Sequence, residues 1–291
     1  MPARHAALRD DPAALAIRLF RDGGRLTSDE CAQLIGESEL VIDGRAGWRL
    51  EAIDGLYLFS EWPPYANDVM PPGETTAILF RAARAICGAE DVVLDLGCGS
   101  GTLALLLSRY VARCVGTDVN GHAVALARKN AAVNGVQNVE FRAGSLWEAV
   151  GEERFDLVVS QPPYIPQPAG VARQVFLHGG HRGDELASAI LAGMAEHLTP
   201  RGRGLVFSDW PLERGEDLRD RAAAPGLRAR LFASPMLTLE SYGGSYGGEL
   251  IQHLGEMGIV GVRQCLSVCD AGSGVEEREV LPHEWAGLGI H

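Results

Sequence analysis

The chain has 291 residues and a formal net charge of −12, and its 46% hydrophobic against 22% charged residues is the balance of a globular protein with a substantial core. That acidity excludes a broad electropositive surface for nucleic-acid backbones, because sequence-independent affinity for phosphates comes from Lys and Arg, and Lys129 is the only lysine. Arg4, Arg9, Asp10 and Asp11 precede any apolar run, and no apolar stretch is long enough to span a bilayer, so a cytoplasmic protein without a membrane segment is expected.

In chain order, residues 12–21 carry apolar positions at helical spacing, and Thr27-Ser28-Asp29-Glu30 opens a second helix, through residue 35, with a capping box. Segments 39–42, 48–53 and 56–60 are short and apolar-rich, and Asp43-Gly44 and Asp54-Gly55 are turn signals between strands. These elements predict a small N-terminal α+β module over residues 1–66. Pro63, Pro64, Pro71 and Pro72 make the following stretch a linker, since proline is excluded from helix interiors and central strands. A helix over 74–86 then leads into a second domain, 67–291.

In that domain, strands at 91–96, 113–118, 138–142, 155–160 and 203–209 alternate with helices at 101–110, 121–133 and 184–198. Near-continuous apolar strands in such alternation predict an α/β fold with a doubly wound, Rossmann-like sheet covered on both faces. Strands are also predicted over 227–240 and 258–268, flanking a helix at 248–257. The run Ser241 to Gly248 is expected to be a loop rather than a nucleotide cradle. Cysteines at 31, 87, 98, 114, 265 and 269 lack paired metal-ligand spacing, which predicts reduced thiols, with Cys265 and Cys269 as small buried hydrophobes and no metal site.

Residues 91–101 read DVVLDLGCGSG, a buried strand running through Asp95 into Gly97, Gly99 and Gly101 and then a helix. Such glycines let backbone turn sharply or approach a ligand at the carboxyl edge of an α/β sheet. The dinucleotide fingerprint would place its third glycine at Thr102, so a pyrophosphate is not the expected ligand. The next strand ends in Asp118, whose carboxylate suits vicinal ribose hydroxyls. At the third strand end, Ser145 can meet an adenine edge while Leu146 or Trp147 covers its face. The plainer alternative is that the glycines only make tight turns and Asp118 caps the helix starting near Gly121.

The fourth strand ends in Gln161-Pro162-Pro163-Tyr164. Two prolines stiffen this loop and leave carbonyls free to accept bonds, Gln161 offers an amide and Tyr164 an aromatic wall, a seat suited to a nitrogen acceptor.

Together these strand ends resemble the successive cofactor motifs of class I methyltransferases, over roughly residues 70 to 210. Gln161-Pro162-Pro163-Tyr164 resembles the Asn-Pro-Pro-Tyr motif of methyltransferases that modify glutamine amides or nucleobase amines. The segments from Val69 to Thr75 and from His178 to Gly183 are similar to those of the HemK-like release-factor glutamine methyltransferases. The resemblance implies S-adenosyl-L-methionine (AdoMet) as cofactor, held by Asp95, Gly97, Gly99, Gly101, Thr102, Asp118, Val119, Ser145, Leu146 and Gln161. It also implies transfer at Gln161, Pro162 and Tyr164 to a methyl acceptor that is a protein glutamine or a small molecule, not a nucleic acid.

Three departures from that family stand out. Gln161 replaces the usual Asn, Pro72 stands where Arg is common, and the N-terminal module contains a hairpin rather than helices alone. A small-molecule O- or C-methyltransferase and a non-catalytic AdoMet-binding module therefore remain alternatives. A hydroxyl acceptor would call for a base, for which His178 and His181 are the candidates.

Overall fold

The computed structural model describes residues 27, 30, 41–42, 45–46, 48–61, 69–168, 170–171, 174–244 and 247–290. The helix expected at 12–21, the Asp43-Gly44 turn and the prolines at 63 and 64 lie outside these residues. The capping box at Thr27 has its two reciprocal bonds: Thr27 N–H donates to Glu30 at 2.8 Å, and Glu30 N–H donates to the Thr27 hydroxyl at 3.3 Å.

Two short strands, β1 (Val41–Ile42) and β2 (Arg45–Ala46), pair antiparallel, and β3 (Trp48–Ile53) forms a hairpin with β4 (Leu56–Glu61). At its tip Asp54 and Gly55 both have positive φ, 47° and 78°, as the tight two-residue turn of a right-twisted hairpin requires.

After α1 (Glu74–Ile86) come β5 (Val92–Leu96), α2 (Thr102–Leu107), β6 (Arg113–Asp118), α3 (Gly121–Val133), β7 (Val139–Ala143) and β8 (Phe155–Ser160). The chain continues through β9 (Ile165–Pro166), β10 (His178–Gly180), α4 (Glu185–His197), β11 (Leu198–Glu213), α5 (Leu218–Arg221) and β12 (Leu227–Ala233). It ends with α6 (Leu239–Gly243), α7 (Gly248–Glu256), β13 (Ile259–Ala271) and β14 (Val275–Glu279).

Eight strands make one sheet in the order β14-β12-β13-β11-β8-β5-β6-β7. Neighbours from β11 to β7 are parallel, whereas β13 runs antiparallel between β11 and β12. From β5 the chain winds outward through β6 and β7, then returns to β8 on the other side and winds the opposite way. That reversal opens a crevice at the carboxyl ends of β5, β6 and β8, the place where such sheets bind ligands.

Alternate residues of each strand feed two cores, one on each face. Val93, Val159, Leu205 and Phe207 join α1, α2 and α3, while Leu94, Val158, Val206 and Trp210 join α4 and α5. Cys265 and Cys269 sit in the second core as small apolar side chains, and burial pushes both thiols up to about 12.

The sequence misplaces three elements. The strand expected over 227–240 ends at Ala233, because Pro235 follows and Thr238 caps α6 by accepting the Ser241 N–H at 3.2 Å. Of the run expected to be one loop, Ser241 to Gly243 end α6 and Gly248 begins α7. Strand β14, VEERE, has too many charges to read as a strand, yet it pairs with β12 at the sheet edge, where charged side chains face water.

The hairpin assigned to the N-terminal module is part of this packing. Leu56 and Leu58 belong to the same core as α1, α2 and α3. Two amides on α3 hold the edge of β4. Asn130 accepts the Phe59 N–H at 2.8 Å and donates to the Phe59 carbonyl at 3.0 Å, and Asn134 does the same for Tyr57 at 2.8 and 2.7 Å. Asn130 also donates to the Ser100 carbonyl at 2.9 Å, behind the glycine loop. Asn130→Ala should therefore remove a partner from the buried Ser100 carbonyl and from the part-buried N–H and carbonyl of Phe59, and the buried carbonyl alone should cost roughly 1–3 kcal/mol in urea unfolding. An unchanged unfolding midpoint would show that these bonds do not hold the hairpin.

Candidate functional site

Gly97, Gly99 and Gly101 all take positive φ (84°, 52° and 79°), so the loop after β5 is built from conformations that other residues rarely adopt. The N–H groups of Gly97 and Cys98 both donate to the Thr117 carbonyl at 2.8 Å, tying the loop to the end of β6. Asp118 completes the tie: one carboxylate oxygen accepts the Gly99 N–H and the other the Asn120 N–H, each at 2.9 Å. The cap of α3 is Asn120, which accepts the His122 N–H, so Asp118 is not the helix cap of the plainer reading. On β5, buried Asp95 accepts the Ala104 N–H in the first turn of α2 at 3.0 Å.

Two adjoining cavities open at this edge. The first, about 210 Å³, is walled by Gly97, Gly99, Asp118, Val119, Ser145, Leu146, Gln161 and Pro162. The second, about 260 Å³, is walled by Asp95, Gly97, Gly99, Thr102, Gln161, Pro162 and Tyr164. They meet along Gly97, Gly99 and Gln161-Pro162-Pro163 under Met70 and Phe176. A Cβ on Gly97 would meet nothing within 4 Å, and one on Gly99 only Val69 at 4.0 Å, so both glycines clear open space rather than relieve a packing clash.

Gly101 behaves differently. Its absent Cβ would lie 2.8 Å from both Ala127 and Phe141, which makes it a packing position behind the loop, not a wall of either cavity. Trp147, a candidate cover for an adenine, stacks instead on His197 at 4.3 Å and lies against Gly193. Leu146 stays on the wall, held at φ 45°, a left-handed conformation that costs a non-glycine residue of order 1–3 kcal/mol.

His178 and His181 line neither cavity. His178 is buried and accepts the Gln174 N–H at Nδ1, and His181 meets the edge of the His253 ring at 4.6 Å. The glycines of their segment serve the transfer loop. A Cβ on Gly179 would lie 2.4 Å from the Pro163 carbonyl oxygen and 2.0 Å from that of Gly183, so the segment lies directly against Pro163-Tyr164.

Sequence reasoning missed part of the roof. Met70 lies in the segment singled out before α1, but Val175 and Phe176 come from an irregular stretch with no periodic signal. Glu61 was hidden just past the strand predicted over 56–60, at the start of the proline-rich stretch. It is 5% exposed, accepts the Val69 N–H at 3.1 Å, and meets His122 Nε2 at 2.7 Å, which holds the Val69-Met70 segment against the start of α3.

Carboxylates dominate the charge at this edge. Among the described residues no Lys or Arg lines either cavity, whereas Asp95, Asp118 and Glu74 do. Burial pushes Asp95 up to about 7 against the bond from Ala104, and the negative charge of Asp118 adds to the rise. Asp209, 1% exposed on β11, is likewise pushed up to about 7 by burial, partly offset by bonds from Tyr242 and Gln264. An unfolded chain releases these protons near the ordinary value of 3.8, so between about pH 4 and 7 the folded state binds more protons and loses stability as pH rises. The ligand-free protein should thus melt at a lower temperature at pH 8 than at pH 5.5, and Asp95→Asn should flatten part of that slope. A melting temperature that rises across this window would contradict the assignment.

Residues 73–208 match the Methyltransferase small domain family. A release factor glutamine methyltransferase of Geobacter sulfurreducens is 37% identical over 145 residues, 46% of this chain and 51% of that protein. One from Aliivibrio fischeri is 34% identical over 212 residues, 67% of this chain and 72% of that protein. A ribosomal protein uL3 glutamine methyltransferase of Bradyrhizobium diazoefficiens is 31% identical over 145 residues, 46% of this chain and 44% of that protein. The match thus spans about half the length of the Geobacter relative and nearly three quarters of the Aliivibrio one. With strands wound both ways from β5 and relatives at this level of identity, the chain belongs to the HemK-like family of class I methyltransferases.

Proposed function

We propose that the protein transfers a methyl group from AdoMet to a nitrogen, most simply the side-chain amide of a protein glutamine, as the names of its relatives suggest for those enzymes. The observation that carries this reading is the seam between the two cavities, where the bare backbone of Gly97 and Gly99 faces Gln161-Pro162-Pro163. In this reading the first cavity holds the adenosine half of the cofactor. Each Asp118 oxygen has spent one acceptor site on a backbone N–H and keeps another for a ribose hydroxyl, while Val119, Leu146 and Ile190 offer apolar surface for a base. The methionine half would lie along Gly97 and Gly99 toward Asp95 and Thr102.

AdoMet, when bound, supplies an electrophilic methyl on a cationic sulfur. The protein's task is alignment. Gln161 and the Pro162 carbonyl hold the acceptor N–H groups so that the nitrogen faces the seam, and Tyr164 closes the far wall. A nitrogen acceptor loses its proton after attack, whereas a hydroxyl would need a base, and neither candidate histidine reaches a cavity. Carboxylates without Lys or Arg on the cavity walls, among the described residues, also favour an uncharged or cationic acceptor over a phosphate-bearing one. Residues 1–66 would cover or select the acceptor, with the hairpin as their anchor on α3.

Two measurements test this reading. Asp118→Ala should weaken S-adenosylhomocysteine binding by at least about tenfold in calorimetry, since charge-assisted bonds contribute roughly 1.5–3 kcal/mol each; unchanged affinity in a folded variant removes the ribose assignment. Gln161→Ala should lower kcat by about a hundredfold or more while cofactor affinity stays within about twofold, because alignment is realised mainly in the transition state. Gln161→Asn, one methylene shorter, should also slow the reaction. The assay is radiolabelled methyl transfer to a bacterial release factor, to ribosomal protein uL3 and to amide-bearing peptides, and wild-type rates in Gln161→Ala would mean that this side chain does not position the acceptor.

A further inference from the structure

Between β12 and β13 the chain bridges once more to β13 at Leu237–Val262 and then forms α6 and α7. An antiparallel pair such as β12 and β13 needs only a tight turn to connect it. The excursion lies beyond residue 208, where the match to the Methyltransferase small domain model ends. Because β12 runs in the direction of β8 and β11, its carboxyl end places the excursion at the sheet edge that carries the transfer loop.

There it packs against the back of that loop. Tyr242, Leu250 and Leu254, all buried, form one apolar cluster with Ile165, Ile259 and Val262, and Tyr164 and Leu177 pack against it. Tyr164 and Leu177 also line the second cavity, so each has one side on the cavity and the other on α6–α7. A polar tie fixes the same contact: His253 on α7 meets the His181 carbonyl at 2.8 Å, and the Tyr242 side chain lies near enough to buried Asp209 on β11 to favour its carboxylate form. The two helices pack as one block: Gly243 lies so close to Ile251 that a Cβ there would be 2.2 Å away.

We propose that α6–α7 is the brace that shapes the acceptor side of the site, with Tyr242 and Leu250 as positioning residues that set Tyr164 and Leu177. The proposal rests on reading the second cavity as the acceptor's. It makes acceptor choice in this chain depend on a segment outside the residues that the Methyltransferase small domain model matches, while the cofactor wall, built on β5 and β6, is independent of it.

The test uses the full chain with S-adenosylhomocysteine. In Leu250→Ala, amide hydrogen exchange in peptides covering 162–178 should speed up by about tenfold or more, while peptides covering 97–104 and 118–122 keep their protection. Tyr242→Phe keeps the ring but loses the hydroxyl near Asp209; it should shift the same peptides by a smaller factor, and Leu250→Met should restore them. In methyl transfer to a release factor, KM for the protein acceptor should rise in both variants with KM for AdoMet unchanged. Unchanged exchange at 162–178 in the folded variants, or equal loosening of the glycine loop, overturns the brace; if Leu250→Ala does not fold, Tyr242→Phe decides. A wild-type protein that methylates no amide removes the acceptor reading instead, and the exchange result still decides whether the brace exists.

Discussion

The Asp118 carboxylate accepts two backbone N–H groups, those of Gly99 and Asn120, and much of the site depends on that pair of bonds. They join the loop after β5 to the start of α3, and α3 in turn organises the roof. Its first turn presents His122 to Glu61, which holds Val69 and with it Met70 above both cavities. Its later turns hold the hairpin through Asn130 and Asn134. Floor and roof of the crevice are thus referred to one helix, so a displacement of α3 would change both together.

This arrangement buries Asp95 and Asp118 with no Lys or Arg beside them on the cavity walls among the described residues. Asp95 and Asp118 are both shifted toward the protonated form by burial, and the bonds from Ala104, Gly99 and Asn120 only partly offset it. A site with that electrostatic deficit is best relieved by a cation, and a sulfonium with an amino group is one. The transfer side is held by packing rather than charge, through glycines that let the 178–183 segment lie against Pro163 and Tyr164.

What the sequence disclosed was what is local. Periodicity located β8, α1 and α3 to the residue, because each is a continuous stretch with one buried face or a fully buried core. The wall residues at the strand ends were legible because glycine and aspartate at that spacing are hard to explain by turns alone. Gly101 was misread for the same reason: spacing cannot tell a glycine that faces a ligand from one that faces Phe141. Trp147 failed likewise, since nothing near it in sequence announces the His197 ring it stacks on. Glu61, Phe176 and the α6–α7 block act through contacts with distant parts of the chain, and no local pattern carries such information. The boundary expected at residue 66 followed proline content, whereas the packing follows Leu56 and Leu58 into the main core.

The grip of α3 on β4 has a metric basis. Asn130 and Asn134 are one helical turn apart, about 6 Å along the axis, and the groups they hold, on Phe59 and Tyr57, are two strand residues apart, about 6.6 Å. Helix and strand rulers nearly coincide over that single step, so side-chain amides can impersonate a neighbouring strand for two rungs. The disguise shields an exposed ribbon edge from pairing with another molecule. It also works as a vernier: slipping β4 by one residue would miss both rungs at once, whereas the Asp54-Gly55 tip could lengthen without disturbing either.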